Sequence, residues 1–417
     1  MSINKHGFDL DAEAILPPEI VYQGGELDFI SAPKTLFLTG ATGFVAAYLL
    51  RDLLEQTGAD VYCLVRADDT FHAMMRIRNN LDSYGLWKNS YEHRIQPLVG
   101  DLKEPLLGLT PETFTELAAS VDAIYHSGSK LSYIAPFEYL KDANVGGTVE
   151  VLRMATQGKP KPLHFVSSLG ILLGYQSLEG GHEDDDLDAS MCPDIGYFQS
   201  KYVAERVVRI AKSRGIPVTI HRIGLIVGDS ETGASNVDDF VARMLIGCIQ
   251  AGDAPDIRNL MDMTPVDFVS KAMVYLSQQP ESLGDVFHLL NPNPINWSEI
   301  FDLVSEAGYP IKKYAFNEWI EAIEIHGDPL KNPLHPLLPF FHINFAKRML
   351  GVSDRAYKAL GTTLTQAALE KSEISCAPVD RHLVNTYLSH FVATKRLHAP
   401  IVTPVAHAVQ IPVMVGD

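Results

Sequence analysis

Apolar positions along the first half of the chain come in two alternating rhythms. Leu36–Leu38 is a short apolar run suited to a strand buried on both faces, and comparable runs recur at Asp60–Val65, Ile95–Val99, Ala123–His126, Leu163–Val166 and Pro217–Arg222. Between them the spacing is helical: from Phe44 onward (Val45, Tyr48, Leu49, Leu53), then over Thr70–Tyr84, Pro111–Ala119, Phe137–Thr156 and Tyr197–Ser213. Strands and helices in regular alternation predict a doubly wound parallel sheet. After Arg222 the regularity loosens. Gly228–Gly233 reads as a loop, Val237–Gln250 and Thr264–Ser277 as helices, and Val286–Leu290 as a late strand. From Asn291 the chain is rich in Pro, Trp and His, with helices predicted at Trp297–Ala307, Asn317–His326 and Val379–Val392.

The first strand runs into Thr39-Gly40-Ala41-Thr42-Gly43, a tight turn that opens a helix. A strand, glycine turn and helix in that order aim backbone N–H groups and the positive end of a helix dipole at one point, which suits a pyrophosphate. The fold class is thus α/β, a Rossmann-type doubly wound parallel sheet with a smaller, mostly helical C-terminal substrate domain. The expected divisions are a lead-in or linker at 1–32, a dinucleotide domain at 33–235 to which 264–290 returns, a substrate or lid domain from 236–263 and 291–398, and a flexible tail at 399–417.

Composition narrows the function classes. The chain has 417 residues, enough for a large core, and a net charge of −17, which argues against nucleic acid or an anionic membrane as partner. No apolar run approaches the roughly 18 residues that span a bilayer, and the start lacks a signal-peptide core, so the chain reads as cytoplasmic. Cys63, Cys192, Cys248 and Cys376 are far apart, without a Cys-x-x-Cys pair, and read as buried small hydrophobes; no metal site is expected.

Arg66 ends the second strand pattern, 23 residues beyond Gly43. An acidic residue there accepts the ribose 2′-hydroxyl of NAD, whereas an arginine favours the 2′-phosphate of NADP, with Arg76 as a second cation. The other reading of Arg66 is a solvated strand end. Asp101 and Leu102 follow the third strand, where a carboxylate reaches an adenine amino group or simply makes a turn. Ser127-Gly128-Ser129 follows the fourth strand, where glycine lets backbone pass close to a ribose and phosphate. Asn144 either braces the active-site backbone or faces water.

The strongest constellation is Ser168 after the fifth strand together with Tyr197 and Lys201. Tyr and Lys at i and i+4 share a helix face. A lysine ammonium there stabilises a tyrosinate, drawing its pKa from about 10 toward the operating pH. The same lysine reaches the nicotinamide ribose hydroxyls, and the Ser168 hydroxyl is a second donor to an oxygen that becomes anionic as hydride arrives. Tyr-x-x-x-Lys alone is common by chance; its register with the glycine turn and the serine pair gives it weight.

This order of motifs resembles the extended short-chain dehydrogenase/reductase superfamily. More closely, Val61–Ala67, Tyr84–Trp87, Ile124–His126, Ala143–Thr148, Gly196–Lys201 and Gly228–Gly233 resemble thioester reductase domains, which end non-ribosomal peptide synthetases and carboxylic acid reductases. The likeness runs from about Asp9 to about Leu397. It implies NADPH-dependent reductive release of an acyl or peptidyl thioester, held on the phosphopantetheine arm of a carrier protein, to an aldehyde; a second round would give a primary alcohol, and nothing in the chain decides between one round and two. Ser168, Tyr197 and Lys201 are the implied catalytic residues. The implied cofactor set is Thr39, Gly40, Thr42, Gly43, Phe44, Val45, Arg66, Arg76, Asp101, Leu102, Ser127, Gly128, Ser129, Asn144, Tyr197, Lys201 and Gly224, in a monomer. Three positions depart from the family: Ala46 stands for glycine, Ser168 for a frequent threonine, and Ile223 for proline. Carrier proteins are usually acidic, so a local basic patch is expected; Arg381, Lys395 and Arg396 read as that patch or as an ordinary helix end. The competing readings are a fatty acyl-CoA reductase, a nucleotide-sugar epimerase or dehydratase, and a non-enzymatic dinucleotide sensor.

Overall fold

Seven strands form one parallel sheet: β1 (Thr35–Thr39), β2 (Asp60–Val65), β3 (Ile95–Val99), β4 (Ala123–His126), β5 (Leu163–Ser168), β6 (Val218–Ile223) and β7 (Val286–Leu289). Their spatial order is β7-β6-β5-β4-β1-β2-β3, so the winding reverses between β1 and β4. Thr39 at the end of β1 is level with His126 at the end of β4. A crevice opens where the strand order reverses, at the carboxyl ends of the strands. The computed structural model describes residues 9–25, 27, 32–174, 181–326, 331–343 and 360–400. The expected tail lies outside the described residues from 401 on.

Leu36, Phe37 and Leu38 have no solvent exposure, as a strand covered on both faces requires. One face packs against α1 (Phe44–Gln56), α2 (Thr70–Ser83) and α8 (Val266–Ser277). The other packs against α3 (Pro111–Ser120), α5 (Gly147–Thr156) and α6 (Gly196–Ser213). A third apolar cluster joins α7 (Phe240–Ala251), α9 (Trp297–Glu306), α10 (Phe316–His326), α11 (Leu338–His342) and α13 (Arg381–Ala393); α12 (Thr363–Leu369) packs against α8 and β7 instead. Trp297, Trp319 and Phe341 are fully buried in that third cluster. It also takes in Ile195 and Phe198, so the start of α6 touches both units.

Three differences from the expected elements have clear causes. The lead-in reads as a linker because Pro17-Pro18 and Gly24-Gly25 break any period, yet Leu10, Leu16 and Ile20 are buried against the α3/α5/α6 face. Arg214, just past α6, donates to the carbonyls of Leu16 (2.9 Å), Pro17 (2.6 Å) and Ile20 (3.1 Å), while Asp11 accepts from the Tyr202 hydroxyl at 2.8 Å. The helix expected over Phe137–Thr156 is split: α4 (Phe137–Lys141) and α5 flank a π-turn at Asp142–Gly146. Helices α7 and α13 begin later than their apolar pattern because Asp239 and Asp380 cap them, accepting from the N–H groups of Phe240 and Leu383.

Candidate active site

The β1 turn owes its shape to one glycine. Gly40 has φ of +82°, and a Cβ there would meet the Cα and N of Gly128 at 2.7 Å, so the turns after β1 and β4 touch backbone to backbone. Thr39 secures that contact from below. Its hydroxyl accepts the Gly128 N–H (3.0 Å) and lies 2.7 Å from His126 Nδ1. His126 Nε2 is 3.1 Å from the Thr148 hydroxyl, which donates to the Asn144 carbonyl at 2.7 Å. With the Thr148 proton used, His126 carries its own on Nε2 and accepts from Thr39 at Nδ1. Burial, aided by the Lys201 charge, pushes His126 down to about 3 and keeps it neutral. Asn80 on α2 ties the turn from the other side, donating to the carbonyls of Ala41 (3.2 Å) and Gly43 (3.1 Å).

Above these turns lies a cavity of about 1110 Å³. Gly40, Thr42, Gly43, Phe44, Val45, Arg66, Arg76, Asp101, Leu102, Ser127, Gly128, Ser129, Ser168, Tyr197, Lys201 and Gly224 all line it. Thr39 and Asn144 do not; both are buried behind the wall and act by holding it. Asn144 Oδ1 accepts from Lys130 N (2.6 Å), and its amide donates to Lys130 O (3.0 Å) and to the Ser200 hydroxyl (2.8 Å), which donates to the Tyr197 carbonyl (2.7 Å). Asn144 therefore braces the loop after β4 against the helix of Tyr197. It sits in the π-turn, where the widened coil turns its side chain inward.

The cavity fits a dinucleotide on three counts. Helix α1 opens at Gly43 with no side-chain cap and no acidic residue in its first turn, leaving its N–H groups for an anion. Arg76 folds back to donate to the Arg66 carbonyl, which brings two exposed guanidinium groups to the end of β2, neither ion-paired among the described residues. Asp101 accepts from Lys103 N at 3.1 Å, so the acidic residue after β3 is held in a turn and still lines the cavity.

Three groups furnish the reactive end. Ser168 Oγ accepts the Gly170 N–H at 3.1 Å, which leaves its proton to donate elsewhere. Lys201 is buried, with Nζ 2.6 Å from the Val166 carbonyl and 4.4 Å from the centre of the Phe165 ring. Burial lowers its ammonium to about 8, against the pull of Glu205. Tyr197 departs from the sequence expectation: its phenol is shifted up from 10, not down. Burial is the main cause, a hydroxyl bond with Ser129 opposes it, and the Asp239 charge adds to it. The Lys201 ammonium, turned to Val166, does not offset that burial. A phenol so placed keeps its proton at neutral pH, as a proton donor must.

Behind this end lies a charged network that the sequence reading misses. Glu205, one turn after Lys201, accepts from Ser167 Oγ (2.6 Å), from Arg222 Nη2 (2.7 Å) and from Arg209 Nε (3.1 Å). Arg222 Nη1 is 3.0 Å from His288 Nε2, whose Nδ1 is 2.7 Å from the Gly361 carbonyl. The Arg222 guanidinium overcomes burial and holds Glu205 at about 2. Its signal is thin: single charged residues inside strand and helix patterns. The expected basic patch is partly spent, since Arg381 pairs with Glu306 at 2.6 Å.

Comparison with known proteins agrees with the fold. A family model described as "Male sterility protein" matches residues 38–273. A linear gramicidin synthase from Brevibacillus parabrevis is 38% identical over 95% of the chain and 8% of its own length. The large subunit of L-2-aminoadipate reductase from Penicillium chrysogenum is 34% identical over 89% of the chain and 28% of its own length. The chain thus spans less than a third of these relatives. Among solved structures, the terminal R domain from the myxalamid PKS-NRPS biosynthetic pathway superposes with a TM-score of 0.86 at 39% identity, covering 94% of this chain and 98% of that one. The reductase domain of a non-ribosomal peptide synthetase from Mycobacterium tuberculosis gives 0.73 at 26% identity, covering 93% and 96%. No described helix is long and apolar enough to cross a membrane. The chain therefore belongs to the family described as male sterility protein, within it to the thioester reductase domains of the extended short-chain dehydrogenase/reductase superfamily.

Proposed function

We propose that the protein uses NADPH to reduce a thioester, held on the phosphopantetheine arm of a carrier protein, to an aldehyde. The observation that carries this reading is the convergence of Ser168, Tyr197 and Lys201 on the cavity that also takes in the open start of α1. The dinucleotide, when bound, supplies hydride to the thioester carbonyl carbon. Tyr197 gives its proton to the carbonyl oxygen as negative charge develops there, and the Ser168 hydroxyl donates a hydrogen bond to the same oxygen. Lys201 holds the ribose beside them and supplies positive charge when the phenol has lost its proton. The product of this step is a hemithioacetal, which breaks its C–S bond to give aldehyde and free thiol, so no covalent enzyme intermediate is required. The described residues of 236–263 and 291–398 form the substrate side, and Arg66 with Arg76 selects the 2′-phosphate.

Incubation with NADPH and an acyl-phosphopantetheine thioester, following the loss of reduced-nicotinamide absorbance and trapping the aldehyde, tests the reading. Steady oxidation with aldehyde formed is expected, and Tyr197→Phe should cut turnover by about 10²- to 10⁴-fold while NADPH still binds. No oxidation, or an unchanged rate in the phenylalanine variant, would remove the assignment. Turnover of acyl-CoA in preference to the carrier-bound thioester would favour a fatty acyl-CoA reductase.

A further inference from the structure

Basic residues line only one part of the cavity wall, where Asp101, Glu138 and Asp142 are interspersed with them. Every basic residue that lines it among the described residues, Arg66, Arg76, Lys103, Lys130 and Lys201, belongs to the stretch 66–201. The lining from 223 to 360 holds Asp238, Asp239 and Asp262 and no Lys, Arg or His.

The three carboxylates differ in what they are already doing. Asp238 pairs with Arg243, and Asp262 accepts from Leu225 N (2.8 Å) and from the Thr264 hydroxyl (3.2 Å). Asp239 accepts from Phe240 N at 2.6 Å through Oδ1, and Oδ2 has no hydrogen bond among the described residues. Aromatic rings line the same cavity. The Tyr133 ring lies 5.4 Å from that of Phe340 and 6.1 Å from that of Tyr197, and Phe240 lies 5.8 Å from Phe340. All four rings line the cavity, and the Asp239 charge reaches the phenols of both Tyr133 and Tyr197. A half-buried carboxylate beside aromatic rings is a poor seat for an acyl chain of plain hydrocarbon, which would strip water from the anion and replace it with nothing polar. For a cation it supplies both a counter-charge and ring quadrupoles.

We propose that the acyl group presented to Tyr197 carries a cationic nitrogen, a protonated or quaternary amine, with Asp239 as its counter-charge and Tyr133, Phe240 and Phe340 as its aromatic cage. The proposal rests on the thioester-reductase reading and names its substrate class. Partial burial lifts the Asp239 carboxyl to about 6 in spite of the Phe240 N–H and the Arg243 charge, and an arriving cation favours its charged form. Because Asp239 adjoins Phe240 at the start of α7, the site also places the cation within reach of the end of the cavity where Tyr197 works.

The test compares two phosphopantetheine thioesters of one shape: γ-trimethylammonio-butanoyl, and the neutral form in which carbon replaces the nitrogen. The wild-type protein should favour the cationic thioester in kcat/KM by at least about tenfold, chiefly through KM. Asp239→Asn should bring the ratio to within about twofold of unity; asparagine caps a helix as well as aspartate, so α7 keeps its start. Phe340→Leu, on a different element, should lower the ratio severalfold. A wild-type ratio of one or less, or a ratio that survives Asp239→Asn, overturns the cation site and leaves the reductase standing. Oxidation with neither thioester overturns the reductase reading, and the cation site with it.

Discussion

The two walls of the cavity are built by different means. The wall from the first half of the chain has backbone at its centre: glycine turns at the ends of β1 and β4, locked together by Thr39 and His126, with Asn80 bracing the first of them. The wall from the second half is mostly side chain: Asp239 and Phe240 from the start of α7, and Phe340 from α11. A dinucleotide is a constant ligand, so its cradle can be set in main chain, where one added Cβ already collides. Under the proposed function the other ligand is an acyl group, and a wall of side chains can change its chemistry without moving the sheet.

That contrast can be broken in three ways, in order of expected effect. The sheet side carries four buried histidines, His126, His164, His221 and His288, all kept neutral chiefly by burial. His126, His164 and His288 are lowered to about 3 and His221 well below its ordinary 6.5. Between about pH 6.5 and those depressed values the unfolded chain binds protons that the folded one refuses. Stability is therefore lost as pH falls through that window, by up to about 1.4 kcal/mol per pH unit for each histidine. The melting temperature should drop steeply from about pH 6.5 downward; a flat profile to about pH 4 would show that these rings are not held neutral.

Next, Gly40→Ala places a Cβ 2.7 Å from the Gly128 backbone at a φ of +82°. NADPH affinity should fall by at least about tenfold, read by fluorescence of the bound cofactor. Wild-type affinity would mean that the two turns are not in contact. Third, Arg66→Ala should lower the preference for NADPH over NADH by about tenfold, the scale of one charge-assisted contact at an exposed site, with NADH kinetics little changed. An equal loss with both cofactors would point to damage of β2 rather than loss of a phosphate contact.

The same contrast decides what a sequence reveals. Gly40 and Gly43 are legible because a strand-turn-helix imposes fixed spacing on neighbours in the chain, and Tyr197 with Lys201 because helical periodicity puts i and i+4 on one face. The seven-stranded sheet follows from the same local rhythms. Asp239, Tyr133 and Phe340 come together only through packing of distant elements, and nothing in their neighbourhoods marks them. Asp239 in particular reads as a helix cap, which it also is. The lead-in misleads for a related reason. Leu10, Leu16 and Ile20 follow no period because the segment is neither helix nor strand, and its fit depends on Arg214 and Tyr202 far along the chain. The rise of the Tyr197 phenol is hidden too, since spacing places the ammonium on the right face without saying which way it turns.

The π-turn at Asp142–Gly146 carries a consequence for how this chain can change. Deleting one residue there would restore a regular helix and its ordinary hydrogen bonds. The helices on either side would keep their facing, because the widened turn is what absorbs the extra residue, but the residues inside the turn would each shift by one place. Asn144 would swing away from Lys130 and Ser200, and the loop over the crevice would come loose from the helix beneath it. A substitution cannot remove the extra residue, and a deletion unlatches the loop, so the irregular coil is locked in place by its neighbours. Drift in this stretch should be confined to side chains, with its length held constant.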